Sequence, residues 1–125
     1  MPEDGLSEAL RDQEQAMPGF ARWMYRTVRG DLGEKVLDAG AGIGTFTEIL
    51  VRDRHRVDVL ETNPVFVDHI RMRFKGDDSV FVHQGSLTDP AALAGIPEVD
   101  SVLCLNVLEH IEDDVSAMRN LLAKT

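Results

Sequence analysis

The chain has 125 residues, of which 43% are hydrophobic and 28% charged, as is ordinary for one small globular domain. Its net charge of −9 argues against non-specific nucleic-acid binding, which requires Lys and Arg to neutralise phosphates. No apolar run approaches the ~20 residues of a membrane-spanning helix, so we expect neither a nucleic acid nor a membrane as partner. The single cysteine, Cys104, has no intramolecular disulfide partner, and the amino terminus lacks a signal-peptide pattern, which together predict a cytoplasmic protein.

Residues 1–33 are predicted to form an amino-terminal helical segment, with a polar and acidic start and a helix from Pro18 onwards. Phe20, Trp23 and Met24 are spaced so that they share one side of that helix and form an apolar stripe. This stripe either packs against a sheet or covers a ligand pocket as a lid. Three arginines on another face are either solvated or bind an anionic acceptor: Arg22, Arg26 and Arg29.

The stretch from Lys35 to Thr47, KVLDAGAGIGTFT, contains the motif that defines the next domain. An apolar strand runs into Asp38 and then into alternating glycines that open a helix, the pattern of the first crossover in an α/β nucleotide-binding sheet. Glycines allow a sharp turn and a close approach of the ligand. The dinucleotide fingerprint G-x-G-x-x-G is not matched, because Thr45 stands where its last glycine would fall. A carboxylate at Asp38 repels phosphates and favours a ligand that carries an amino group.

The second strand is predicted from Arg56 to Glu61, RVDVLE, and it also ends in a carboxylate. Glu61 falls 17 residues after Gly44, close to the ~20-residue distance at which an acid binds ribose hydroxyls in nucleotide-binding sheets. The alternative is a surface acid at a strand end. Asn63-Pro64 then starts a second helix, with Asn as its cap and Pro in its first turn.

The third strand is predicted from Ser79 to His83 and is followed by a short helical turn at Asp89-Pro90. The fourth strand is predicted from Val99 to Leu105, and its near-continuous apolar character suits a parallel strand covered on both faces. After it comes a last helix, whose apolar residues follow helical spacing: Val115, Met118 and Leu122.

Polar residues stand at the carboxyl ends of all four predicted strands: Asp38, Glu61, Ser86 and Asn106. Open parallel sheets bind their ligands at that edge. The four side chains are therefore expected to converge on one ligand.

Three features together resemble the Rossmann-like (class I) S-adenosylmethionine-dependent methyltransferases: the D-x-G-x-G-x-G pattern from Asp38 to Gly44, the acid Glu61, and the run LNVLEHI from 105 to 111. The resemblance extends from about Val36 to Asp114. It implies an α/β fold, a three-layer Rossmann-like sandwich whose mainly parallel sheet has the strand order 3-2-1-4. Residues 34–125 would then form the cofactor-binding domain, truncated after the fourth strand and its helix, with the C-terminal strands of the family absent.

The resemblance also implies which residues bind S-adenosylmethionine. The glycine loop holds the amino-acid end of the cofactor, the end of the second strand binds the ribose, and the tip of the third strand lies against the adenine. Many members carry an acid at that tip, where this chain has Ser86 and Leu87. The backbone after the fourth strand contacts the amino group of the cofactor. The expected cofactor-binding residues, with no metal ligand among them, are Asp38, Gly40, Ala41, Gly42, Gly44, Glu61, Thr62, Ser86, Leu87, Asn106 and Val107.

The function implied by the resemblance is methyl transfer to a small-molecule acceptor by in-line displacement. His110 is the candidate general base, because an unperturbed histidine titrates near neutrality, and a structural hydrogen-bonding role is the alternative. A cofactor-binding fragment or pseudoenzyme without turnover is the second hypothesis. A nicotinamide-dependent oxidoreductase is the third, and Thr45 disfavours it.

The strand order 3-2-1-4 leaves the fourth strand at an edge of the sheet. That strand is apolar on both faces and contains no Pro or Lys to discourage pairing with another chain. We therefore expect a homodimer formed through the fourth strand. We also expect a chain that keeps most of the cofactor site and loses much of the acceptor site.

Overall fold

A computed structural model describes residues 18–104 and 114–125 of the chain. Four strands form one sheet: β1 (Lys35–Ala39), β2 (Arg56–Glu61), β3 (Val80–Gln84) and β4 (Ser101–Leu103). Their order is β3-β2-β1-β4, and every neighbouring pair is parallel. The predicted α/β class, strand order and parallel sheet are confirmed.

The described helices are α1 (Pro18–Val28), α2 (Thr45–Arg52), α3 (Pro64–Arg73), α4 (Pro90–Ala94) and α5 (Asp114–Leu122), with one 3-10 turn at Arg29–Asp31. Helices α3 and α4 begin where the Asn-Pro and Asp-Pro pairs predict. The Asn63 side chain accepts from the backbone N–H of Val65 at 2.9 Å, and Asp89 does the same for Ala91 at 3.0 Å. Each bond satisfies an N–H that the first turn of a helix leaves unpaired. None of these helices is long and apolar enough to cross a membrane.

The helices cover both faces of the sheet, because alternate strand residues point to opposite sides. On one face, Val36, Val57 and Val59 pack against α1, α2 and α3. On the other face, Leu37 and Leu60 pack against α4 and α5. All five strand side chains are buried, and the predicted three-layer sandwich is confirmed.

Helix α1 packs through Tyr25. Trp23 is 58% exposed, so the apolar stripe expected on this helix does not pack as one unit. The hydroxyl of the buried Tyr25 donates to Oδ2 of Asp53 and lies 3.2 Å from Nε2 of His55. A buried tyrosine needs a partner for its hydroxyl, and the turn between α2 and β2 supplies one. Because Asp53 and His55 precede β2, they anchor α1 near the amino-terminal ends of the strands. The three arginines of this segment are exposed.

Helix α5 has two apolar stripes, and the one that packs is not the one that the sequence analysis singled out. Ala117 and Leu121 are buried, whereas Val115, Met118 and Leu122 are exposed. The packed side also brings two donors to backbone carbonyl oxygens: Asn120 to Leu87 at 2.8 Å and Lys124 to Ile96 at 2.6 Å. Packing on that side gives hydrogen-bond donors to the carbonyl oxygens of two residues that lie before and after α4. The side chains of the outer stripe have no donor groups.

The two outer strands differ from the prediction in their bounds. Strand β3 begins and ends one residue later than expected. Strand β4 begins two residues later than expected and ends at Leu103, and residue 105 lies outside the described residues. Val99 does not join the ladder, because its N–H donates to the carbonyl of Lys124, after α5, at 2.9 Å. Among the described strands, β4 pairs with β1 alone and forms an edge.

Candidate functional site

The turn between β1 and α2 has a backbone conformation that glycine adopts more readily than other residues. Gly40, Gly42 and Gly44 have φ angles of 74°, 60° and 92°, a left-handed region that costs other residues about 1–2 kcal/mol. The N–H of Gly44 donates to the carbonyl of Ala41 at 3.0 Å and closes the turn. The N–H of Gly40 donates to the carbonyl of Leu60 at 2.7 Å and ties the turn to β2. The glycine loop, residues 40–44, therefore lies at the carboxyl end of the sheet.

Gly42 and Gly44 have different surroundings. A Cβ on Gly44 would lie 3.0 Å from Cε2 of Phe74, so α3 packs closely against the loop at this point. A Cβ on Gly42 would meet no atom within 4 Å. The space in front of Gly42 is open down to the backbone, as a closely bound ligand requires.

Glu61, the last residue of β2, is bonded directly to the glycine loop. Its Oε1 accepts from the N–H of Gly42 at 2.9 Å, and its Oε2 accepts from the N–H of Asn63 at 2.8 Å. The residue is only 7% exposed. Its two N–H partners fix the plane of the carboxylate, and Oε1 keeps a second lone pair for a ligand hydroxyl. The hydroxyl of the exposed Thr62 lies 3.5 Å from Oε2.

Asp38, near the end of β1, is a buried carboxylate beside the loop. Its Oδ2 accepts from the hydroxyl of Thr47 in α2 at 2.7 Å. Burial raises the pKa of Asp38 to about 6; the hydrogen bond from Thr47 opposes this shift, and the charge of Glu61 adds to it. The ionised form is therefore destabilised by its surroundings. A cationic group placed beside it would stabilise that form and lower the pKa.

Two residues with contacts at the site were missed from the sequence. Thr47 stands nine residues after Asp38, and its only signal is a hydroxyl in the first turn of a helix that follows a buried acid. Arg73, in the last turn of α3, donates from Nη1 to the carbonyl oxygen of Ile43 at 2.9 Å. No spacing in the sequence predicts that contact, because 30 residues separate the partners.

The tip of β3 lies next to Glu61, because the N–H of Gly85 donates to the Glu61 carbonyl at 3.1 Å. Ser86 follows at once, and its hydroxyl is 2.8 Å from Oγ1 of Thr88. Leu87 is 4% exposed and belongs to the core that packs against α4 and α5. Of the two residues expected at the adenine, Ser86 is the more accessible.

The structure brings Asp38, the glycine loop, Glu61 and Ser86 to the tips of three adjacent strands. The residues predicted at the tip of the fourth strand lie outside the described part of the chain: Asn106, Val107 and His110. Within residues 18–104 and 114–125, no three His, Cys, Asp or Glu side chains are grouped to hold a metal ion. The roles of the individual residues stay predictions.

A parallel sheet in the order 3-2-1-4, with an open glycine loop after β1 and an acid at the end of β2, defines a Rossmann-like domain for a nucleotide-containing cofactor. A family model described as a methyltransferase domain matches residues 37–124. The chain therefore belongs to the methyltransferase domain family. The predicted family is confirmed, and with it S-adenosylmethionine as the cofactor of the class.

Proteins similar to this chain include two that are named as methyltransferases and one that was solved with S-adenosylhomocysteine bound. The ubiquinone biosynthesis O-methyltransferase of Erwinia tasmaniensis is 30% identical over 98 residues, which are 77% of this chain and 40% of that enzyme. A TehB-like S-adenosylmethionine-dependent methyltransferase from Corynebacterium glutamicum is 23% identical with a TM-score of 0.70, over 97% of this chain and 66% of that one. The N-terminal domain of EvdMO1, solved with S-adenosylhomocysteine (SAH) bound, is 23% identical with a TM-score of 0.64, over 80% and 42% of the two chains. The chain spans 40–50% of the length of the curated relatives it matches.

Proposed function

We propose that this domain binds S-adenosylmethionine and transfers its methyl group to a small-molecule acceptor. The observation that carries the proposal is the open space in front of Gly42, whose N–H is bonded to the carboxylate of Glu61. The buried carboxylate of Asp38 is close enough to Glu61 for the two charges to act on each other. Asp38 suits a ligand that carries an ammonium group, and Glu61 suits ribose hydroxyls. The carboxylate of Asp38 disfavours a dinucleotide, whose pyrophosphate would lie against the loop.

Each strand tip then binds one part of the cofactor. The carboxylate of Asp38 attracts the ammonium group, and the loop from Gly40 through Ala41 to Gly44 surrounds the amino-acid end. Glu61, with Thr62 beside it, accepts from the ribose hydroxyls through the lone pairs that its backbone partners leave free. Ser86 accepts from the adenine amino group, and Asn106 and Val107 complete the site from the fourth strand.

When bound, S-adenosylmethionine supplies an electrophilic methyl group, which an acceptor nucleophile takes in line while the carbon–sulfur bond breaks and its electron pair stays on sulfur. The residues of the chain orient the partners and exclude water from the reacting centre. Where the acceptor atom carries a proton, His110 removes it as a general base. Two curated relatives are named for O-methylation, which supports a hydroxyl as the first acceptor group to test.

The first experiment is a calorimetric titration of the 125-residue chain with SAH and, separately, with NAD. SAH is expected to bind and NAD is not, because Thr45 and Asp38 do not suit a pyrophosphate. Absence of SAH binding, or tighter binding of NAD, contradicts the proposal.

The second experiment measures transfer of labelled methyl groups from S-adenosylmethionine to a panel of small phenols and amines. Transfer to any member supports the enzymatic function. SAH binding without transfer supports the second hypothesis, a cofactor-binding domain without turnover.

The amino-terminal segment of residues 1–33 is proposed to act as a lid over the acceptor side of the site. Its helix α1 packs on the same face of the sheet as α2 and α3, the helices that flank the glycine loop. Tyr25 anchors α1 near the amino-terminal ends of the strands, so the part of the segment before Tyr25 would have to extend to the carboxyl ends to cover the site. Trp23 is the only tryptophan and is largely exposed, so its fluorescence reports on closure. We expect a change in emission on addition of SAH, and an unchanged spectrum at saturation contradicts the lid.

Self-association through β4 is proposed for the 125-residue chain. Within the described residues, β4 pairs on one side only, and its residues Ser101–Leu103 carry no charge. The exposed stripe of α5 adds further apolar surface. A monomer in light scattering at high micromolar concentration contradicts the dimer. We also propose a cytoplasmic location, supported by a sequence that has no second cysteine to form a disulfide within the chain, and tested by cell fractionation.

A further inference from the structure

Arg73 joins three elements around the glycine loop. It belongs to the last turn of α3, and its Nη1 donates to the carbonyl oxygen of Ile43 at 2.9 Å. Its Nη2 donates to Oε2 of Glu48 in the first turn of α2. The guanidinium carbon lies 5.6 Å from the ring centre of Phe74, whose edge packs against the loop. One planar guanidinium thus serves both acceptors and keeps α3 against the loop.

The loop needs such a support because it is rich in glycine. Ile43 lies between two glycines at positive φ, and glycine has more backbone freedom than any other residue. Glu61 fixes the N–H of Gly42, and Arg73 fixes the carbonyl of the next residue. The two bonds hold consecutive residues of the turn from two different elements, β2 and α3.

We propose that Arg73 is a positioning residue for cofactor binding: its bond to the Ile43 carbonyl holds the glycine loop in the conformation that leaves the space in front of Gly42 open. The inference deepens the proposed function and rests on the glycine loop being the cofactor site. Arg73 acts through the loop and touches no ligand. Its effect is preorganisation, since a loop that is already ordered loses less entropy when the ligand binds.

The chain offers a matched control in Arg52. Its Nη2 pairs with the other carboxylate oxygen of Glu48 at 2.5 Å. The Arg52 side chain is 73% exposed, whereas that of Arg73 is 29% exposed. Replacing either arginine by Met keeps the aliphatic stem and removes one positive charge from the same carboxylate. The difference in SAH affinity between the two variants therefore reports on the hydrogen bond from Arg73 to the loop.

The test measures the Kd for SAH by calorimetry, together with amide hydrogen exchange of the loop in the absence of ligand. Arg73→Met is expected to raise the Kd about tenfold, which corresponds to ~1.4 kcal/mol. It is also expected to speed exchange at Gly44 relative to Val59 in the core of β2. Arg52→Met is expected to leave the Kd within about twofold of the parent and loop exchange unchanged. Arg73→Lys keeps the positive charge but loses the planar guanidinium that donates to two acceptors. Its Kd for SAH is expected to lie between those of the parent and Arg73→Met.

Three results overturn the inference. The first is an Arg73→Met variant that binds SAH as tightly as the parent. The second is an equal loss of SAH affinity in both Met variants, because the effect would then come from the loss of a positive charge beside Glu48. The third is a uniform rise of exchange across the chain, which reports global stability alone. If Arg73→Met does not fold, unchanged affinity and loop exchange in Arg73→Lys overturn it equally. If the parent does not bind SAH, the proposed function fails, and the exchange data still decide whether Arg73 orders the loop.

Discussion

The buried carboxylate of Asp38 predicts that the fold gains stability on mild acidification. Its pKa is about 6 in the folded chain, against 3.8 for the ordinary group, chiefly because burial penalises the charged form. Between these two values the folded state binds more protons than the unfolded state, so Asp38 favours folding more strongly as the pH falls through that window. Above about pH 6 the ionised carboxylate destabilises the fold.

Replacing Asp38 by Asn removes this penalty and keeps an oxygen that accepts the 2.7 Å bond from Thr47. The rise of the pKa from 3.8 to about 6 corresponds to about 3 kcal/mol at neutral pH. The gain in unfolding free energy of Asp38→Asn over the parent is therefore expected to grow by about 2.5 kcal/mol between pH 4 and pH 7.5. The histidines are present in both chains, so the comparison removes their contributions.

The assay is urea unfolding followed by circular dichroism at half-unit steps of pH. Asp78→Asn is the control, because it removes the same charge from an exposed position in the turn before β3. A difference between Asp38→Asn and the parent that stays constant over the range, or that grows as the pH falls, refutes the reasoning.

Three further predictions concern the loop, the ribose contact and the anchor of α1. Gly42→Ala and Gly76→Ala each place a Cβ at positive φ with no atom within 4 Å, and both are expected to lose about 1–2 kcal/mol of stability. Only Gly42→Ala is expected to weaken SAH binding in calorimetry, and equal affinities would show that the space in front of the loop is not used. Glu61→Ala is expected to raise the Kd for SAH by a factor of about 10 to 100, as for a hydrogen bond to a charged group of about 1.5–3 kcal/mol. Unchanged affinity excludes Glu61 as the ribose ligand. The pKa of Tyr25, the only tyrosine, is expected at about 12, because burial and the bond to Asp53 disfavour its ionised form. A spectrophotometric titration with a midpoint near the ordinary 10.0 would contradict the buried anchor.

The local elements of this protein are determined by short stretches of its sequence. The apolar run before Asp38, the alternating glycines and the Asn63-Pro64 pair predict β1, the turn and the start of α3, and the structure places all three there. Such signals depend on backbone preferences of neighbouring residues, such as the positive φ of glycine and the fixed φ of proline. The carboxyl-end position of Glu61 follows from the same local pattern, because it is the last residue of a predicted parallel strand.

The contacts within the site were decided only by the tertiary structure. Thr47 bonds to Asp38 across nine residues, Gly42 to Glu61 across 19, and Arg73 to Ile43 across 30. The choice of packing face is decided in the same way. Tyr25 is buried because the turn before β2 offers its hydroxyl a partner, and α5 turns its Ala117 side inward because that side satisfies carbonyl oxygens around α4. Burial and hydrogen bonding depend on residues that lie far apart in the sequence and meet only in the folded chain. A short stretch of sequence therefore does not predict them.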